Sequence, residues 1–171
     1  GVGSDLRIPT EDDFIRLPEF WKPTNLPGIP FGRVTLVAGP EDTGKTSFAI
    51  QCMKAAQNQG CAVYYVESEY KTQSNDLSCW GVDPEQIFLI QTKIAETLFQ
   101  LTLTAVEKFI DSNPNDPLLI IIDSLGNVLS QRDSEIDLMD KGMKVGGKSQ
   151  INRLGLNRLV ALTELHPKIA L

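Results

Sequence analysis

One histidine, three cysteines and few aromatic residues leave whole classes of chemistry without material. His166 is the only histidine among 171 residues, which excludes a multi-histidine metal centre and argues against a histidine-based triad. It follows a helical pattern and precedes Pro167, as a helix-end residue does. Cys52, Cys61 and Cys79 are odd in number and lack metal-type spacing, so they read as free thiols of a reducing compartment. No apolar run approaches the roughly 18 residues of a membrane span. The opening "GVGSDLRIPTEDD" has neither the basic nor the apolar region of a signal peptide, and its first residues read as an appended scar. The expectation is a cytoplasmic protein without membrane contact. A basic excess is missing too. The net charge of -6 carries no nucleic-acid footprint, although a local basic loop can still bind inside an acidic chain.

What is present is alternation. Residues 1 to 32, with "LPEFWKP" and "LPGIPFG", read as an irregular arm that packs Phe20 and Trp21 onto the body. "RVTLVAG" predicts a short buried strand from Arg33 to Ala38. "KTSFAIQCMKAAQNQG" predicts a helix, with Phe48, Cys52 and Ala55 on one face and Gly60 as its stop. "CAVYYV" is a second strand, "QSNDLSCWG" a short helix and "QIFLIQ" a third strand. "AETLFQLTLTAVEKFIDS" is a long amphipathic helix ended by "NPNDP". "LLIIID" has the continuous apolar character of a strand buried on both faces. Residues 130 to 148 are polar and read as a loop. "INRLGLNRLVALTEL" is a last helix, and "KIAL" begins another strand. Strands alternating with helices imply right-handed crossovers and a three-layer α/β/α domain with a mostly parallel sheet. The simplest division is an arm over 1–27 and one core over 28–171.

"GPEDTGKT", Gly39 to Thr46, satisfies the phosphate-loop pattern G-x-x-x-x-G-K-[ST], with an apolar strand leading in and a helix leading out. Backbone N–H groups at a helix start wrap phosphates, and the helix dipole favours anions there. The nucleotide-contacting set expected is Gly39, Pro40, Glu41, Asp42, Thr43, Gly44, Lys45, Thr46 and Ser47. Lys45 is expected to reach the β- and γ-phosphates, and the Thr46 hydroxyl to ligate magnesium. The cofactors expected are therefore ATP and Mg2+. "LLIIID" then delivers Asp123 to the carboxyl edge of the sheet, where ligands bind in open α/β folds. Its pattern is that of a Walker B acid, which holds magnesium. "YYVESEY" places two more carboxylates, Glu67 and Glu69, at the same edge. One of them can polarise the water that attacks a γ-phosphate. In an extended strand both face the same way, so spacing does not choose between them.

"GPEDTGKT", "VESEY", "GVDPEQIFLIQ" and "IIIDSLGNVLS", taken in order, resemble the RecA family. "DSLGN" and "GVDPE" are most similar to its phage UvsX branch, and "LPGIPFGR" resembles the family's lead-in. The likeness runs over about 28–171. It implies a RecA-like P-loop NTPase fold and a DNA-dependent ATPase. Such an enzyme forms filaments on single-stranded DNA and promotes homologous pairing and strand exchange. It implies Glu69 as the catalytic base, Glu67 as a supporting acid, and Lys45, Thr46 and Asp123 in the roles given above. Residues 131 to 148 fall on the first DNA-binding loop, with Met143, Lys144 and Lys148 as contacts. Partners implied are single-stranded DNA, further copies of the chain, and recombination mediator or single-strand-binding proteins.

Two departures stand out. Asp76 occupies the place of the family's adenine-pocket aromatic, leaving Gln73 or Tyr70 as substitutes. "HPKIAL" matches only the start of the strand that ends in the family's γ-phosphate sensor. The core is thus expected to be truncated at its C-terminus, the whole product longer, and the piece self-associating or marginally stable. Two other functions fit: a nucleotide-binding fragment with little turnover, and a RecA-fold ATPase with another role, as helicase motor or regulator.

Overall fold

The structure is a computed structural model and describes residues 8–17, 24–40, 42–125 and 147–171, without the side chains of Asn75 and of residues 147–152. Two short strands, β1 (Phe14–Arg16) and β2 (Gly28–Pro30), pair antiparallel. There follow α1 (Lys45–Asn58), β3 (Ala62–Glu67), α2 (Ser74–Cys79), β4 (Ile87–Gln91), α3 (Ala95–Ser112), β5 (Leu118–Asp123), α4 (Gly147–Leu165) and β6 (Ile169–Ala170). The second sheet is parallel, in the order β4-β3-β5-β6. Strand β5 is reached from β4 by passing over β3, so α3 is a crossover helix, as parallel pairing demands.

The period of two along the strands divides the core. Val63 and Tyr65 of β3 and Leu119 of β5 face α1, where Ala49, Ile50, Cys52, Met53 and Ala56 meet them. Val66, Leu118 and Ile120 face the opposite way, onto Leu98, Phe99 and Val106 of α3 and Leu159 of α4. Each such side chain, fully buried, stabilises the fold by roughly 1.5–3 kcal/mol before the entropy of ordering it is set against that. The sheet is thus sandwiched between α1 on one face and α3 with α4 on the other. The β1–β2 ribbon lies on the α1 side, with Ile15 and Ile29 in the same core cluster. Gln59 ties it down: its amide accepts from Arg16 N–H at 2.8 Å and donates to the Phe14 carbonyl at 2.9 Å. This pairing joins the expected arm to the core across residue 27. Phe20 and Trp21 lie outside the described residues.

Most expected elements are where hydrophobic periodicity placed them, including the stop of α1, where Gly60 has φ of +73°. Two differ. Helix α4 starts at Gly147, so the last residues of the expected 131–148 loop, Lys148 among them, are helical. The expected strand from Arg33 to Ala38 is not a regular strand. Among the described residues only its start is bonded: Gly32 N–H to the Ile169 carbonyl, Thr35 N–H to the Leu171 carbonyl, and Leu171 N–H to the Arg33 carbonyl. An apolar run becomes a strand where a neighbour supplies ladder bonds and a layer covers it. Beyond Thr35 neither is supplied by the described residues, and Leu36 is 77% exposed.

Candidate functional site

The carboxyl ends of β3 and β5 and the start of α1 converge on the α1 face of the sheet. The loop from Gly39 to Thr46 turns there through two left-handed residues, Asp42 at φ +56° and Gly44 at φ +90°. Gly44 is the N-cap of α1 and a Cβ there would meet nothing within 4 Å, so the glycine is required by conformation, not by space. Thr43 Oγ1 donates to the Pro40 carbonyl at 2.7 Å and closes the loop on itself. The Lys45 ammonium folds back over it, donating to the Gly39 carbonyl and, at 3.0 Å, to the Pro40 carbonyl. Gly39, Pro40, Asp42, Thr43, Thr46 and Ser47 are all exposed around this turn. Glu41 lies outside the described residues.

Thr46 and Asp123, far apart in sequence, are brought together: the Thr46 hydroxyl donates to Asp123 Oδ2 at 2.9 Å. The pair is a hydroxyl and a carboxylate, both hard oxygen donors. Among the described residues, no group of three or more His, Cys, Asp or Glu is placed to hold a metal. One carboxylate and one hydroxyl suit a magnesium ion that keeps waters and takes its remaining ligands from phosphate. The donor set therefore fits magnesium with a phosphorylated ligand.

The two glutamates differ more than strand periodicity predicted. Strand β3 ends at Glu67, and Ser68 and Glu69 form a bend, so the acids do not share a face. Glu67 is 3% exposed. Its carboxylate accepts from Lys71 N–H, from Thr72 N–H at 3.2 Å and from the Gln91 amide at 3.0 Å. Those bonds anchor the turn from Ser68 to Gln73. Glu69 is half-buried and forms an ion pair with Lys71, whose side chain is largely exposed. Asp76 caps α2, accepting from Gln73 N–H at 3.3 Å. Tyr70 has φ of +58°, donates to the Gln91 carbonyl at 2.9 Å and lies 5.9 Å beneath Lys93 Nζ.

Met143 and Lys144 lie outside the described residues, as does the side chain of Lys148.

The model of the RecA N-terminal domain matches residues 23–165. The chain belongs to the RecA family. Among its curated relatives, protein RecA of Malacoplasma penetrans is 30% identical over 116 residues, 68% of this chain and 33% of that protein. Protein RecA of Sulfurovum is 30% identical over 135 residues, 79% of this chain and 37% of that protein. The mitochondrial DNA repair protein recA homolog 3 of Arabidopsis thaliana is 31% identical over 116 residues, 68% of this chain and 26% of that protein. The chain spans about a third of the length of these relatives.

In this RecA-family chain, three residues join the site that motif reading passed over: Tyr65, Thr72 and Gln91. Tyr65 donates to Asp123 Oδ2 at 2.9 Å, and Thr72 Oγ1 donates to the Tyr65 hydroxyl at 3.4 Å. Burial, above all, pushes the Tyr65 hydroxyl to a higher pKa, so it stays a protonated donor. Parity was the available signal for Tyr65. It lies an even number of positions before Glu67, whose strand partner is Asp123, and so shares that face.

Proposed function

We propose that this chain is the ATP-binding core of a RecA-type recombinase, of the phage UvsX branch. The whole protein then forms filaments on single-stranded DNA and drives homologous pairing and strand exchange by ATP binding and hydrolysis. One observation carries the reading. A G-x-x-x-x-G-K-T turn opens α1 with its Thr46 hydroxyl 2.9 Å from a strand-end aspartate, Asp123. Family membership and the "DSLGN" and "GVDPE" stretches support the recombinase role and the branch.

In this reading the fold is a P-loop NTPase. Gly39 to Ser47, including Glu41, cradle the phosphates with main-chain N–H groups. The Lys45 ammonium leaves the Gly39 and Pro40 carbonyls to meet phosphate oxygens. Thr46 and Asp123 would hold Mg2+, which when bound would supply charge neutralisation for the phosphates. Glu69 accepts the proton of the attacking water. Glu67 is already saturated by Lys71, Thr72 and Gln91, which favours Glu69 as the base. Met143, Lys144 and Lys148 contact single-stranded DNA from the 131–148 segment. Further copies of the chain complete the assembly, mediator or single-strand-binding proteins assist it, and the location is cytoplasmic.

The test is hydrolysis and binding measured together, with and without single-stranded DNA. Lys45→Ala is expected to lose both activities. Glu69→Gln is expected to keep ATP binding and lose hydrolysis by about 100-fold or more, while Glu67→Gln retains measurable turnover. Normal hydrolysis by Glu69→Gln, with Glu67→Gln dead, would overturn the assignment. A second reading, a nucleotide-binding module with little turnover, is favoured by the Lys71 ion pair that occupies Glu69. Tight ATP binding with no DNA-stimulated hydrolysis would select it. Hydrolysis by a full-length version that fails to bind single-stranded DNA would select a motor or regulatory ATPase.

A further inference from the structure

Two hydroxyls connect the turn that carries Glu69 to the carboxylate that faces Thr46. The Tyr65 ring has no exposed surface and packs in the α1-side core. Its hydroxyl has one proton, donated to Asp123 Oδ2 at 2.9 Å, so toward Thr72 it can only accept. Thr72 Oγ1 supplies that donor at 3.4 Å. Thr72 is held in turn by its own N–H, given to the Glu67 carboxylate at 3.2 Å. The hydrogen-bond direction is therefore fixed along the whole chain: Thr72 to Tyr65 to Asp123. Thr46 donates to the same oxygen, Oδ2, at 2.9 Å. Two donors converging on one oxygen fix the plane of the carboxylate. Tyr65 reaches it as the diagonal neighbour across the β3–β5 ladder, in which Tyr65 pairs with Ile121 and Glu67 with Asp123.

We propose that Tyr65 is a positioning residue for the metal at Asp123, and that Thr72 makes this positioning depend on how the Ser68–Gln73 turn is seated. The inference rests on reading Thr46 and Asp123 as the magnesium ligands. Groups that orient a metal-binding carboxylate from behind typically change metal affinity by 10–100-fold when removed. The turn carrying the proposed base and the proposed metal acid then move as one unit. A displaced turn withdraws Thr72, frees the Tyr65 O–H to turn from Asp123 and loosens that carboxylate.

A purely structural tyrosine would place its hydroxyl there only to satisfy it. The two cases separate in the magnesium requirement of nucleotide binding, read by a fluorescent ADP analogue titrated with Mg2+ and in EDTA. Tyr65→Phe is expected to raise the half-effective Mg2+ concentration about tenfold while changing the EDTA affinity by less than about twofold. Thr72→Val is expected to raise it less, and the double variant to match Tyr65→Phe alone, as a shared path requires. An unchanged magnesium requirement in Tyr65→Phe overturns the proposal. So does an equal loss in EDTA, which is the signature of a merely structural role. If Tyr65→Phe does not melt cooperatively, Thr72→Val decides the matter alone: an unchanged magnesium requirement there rejects the relay. Absence of nucleotide binding by the unsubstituted chain, or binding indifferent to Mg2+, defeats the functional reading itself and this inference with it.

Discussion

Glu67 and Ser68 are adjacent and have opposite hydrogen-bonding accounts. Glu67 is saturated by two main-chain N–H groups and an amide. Ser68 Oγ is the one buried side-chain polar atom without a partner among the described residues. A buried polar group is costly when unpaired and valuable when paired. Ser68→Ala is therefore expected to leave stability unchanged or raise it by up to about 1 kcal/mol, whereas Glu67→Ala strands two N–H donors and costs about 1–3 kcal/mol. Urea melts of both variants check this. The thiols divide in the same way. Burial pushes Cys52 and Cys61 up to about 12, while Cys79 is exposed. At pH 8 a thiol reagent should modify Cys79 quickly and the other two only on unfolding. The raised thiols also set a sign. The folded chain binds more protons than the unfolded one between pH 9.0 and about 12. Their contribution is thus fully present below that window and is lost as pH rises through it. What the sequence made legible here is which residue types gather at the edge. It could not separate Glu67 from Glu69, because same-face parity holds only while the strand continues, and β3 ends at Glu67.

Elements follow the same logic of what a local pattern can know. Helices α1 and α3 and strands β3, β4 and β5 were legible because each carries its own period and its own stop. The β1–β2 ribbon was not, since three-residue strands show no period. The Arg33–Ala38 run looked like a buried strand because its composition is right. Burial depends on a neighbour that composition does not mention. Helix packing adds a prediction. Gly155 of α4 lies against α3 so closely that a Cβ would stand 2.9 Å from Phe99 Cβ. Alanine improves helix propensity by about 1 kcal/mol, but overpacking costs about 1–3 kcal/mol, and Phe99 Cβ belongs to a fixed part of its side chain. Gly155→Ala is therefore expected to destabilise, by about 1 kcal/mol net, and to lower the Tm.

At the scale of the whole molecule, the segment leading to the Gly39–Thr46 turn carries apolar side chains that no layer of the described residues covers. Val34, Leu36 and Val37 are exposed at 42%, 77% and 43%, along main chain that, among the described residues, is bonded only as far as Thr35. Exposed apolar main chain of this kind invites pairing with another chain. Association that grows with concentration is expected, and Leu36→Lys should reduce it. Sedimentation of the two proteins across a range of concentrations provides the check.

The bonds among Gly32, Arg33 and Thr35 and residues Ile169 and Leu171 have a consequence for the order of events in folding. The segment leading into the Gly39–Thr46 turn is fastened by residues far along the sequence, Ile169 and Leu171. Closing so long a loop comes late, after local helices and the β3–β5 ladder have formed. A ribosome would release the turn's flanking segment early, yet its fastening waits until Ile169 and Leu171 have followed it. Amide exchange at Thr35 and Leu171 should accordingly slow in step during refolding, and later than at Val63 or Ile120.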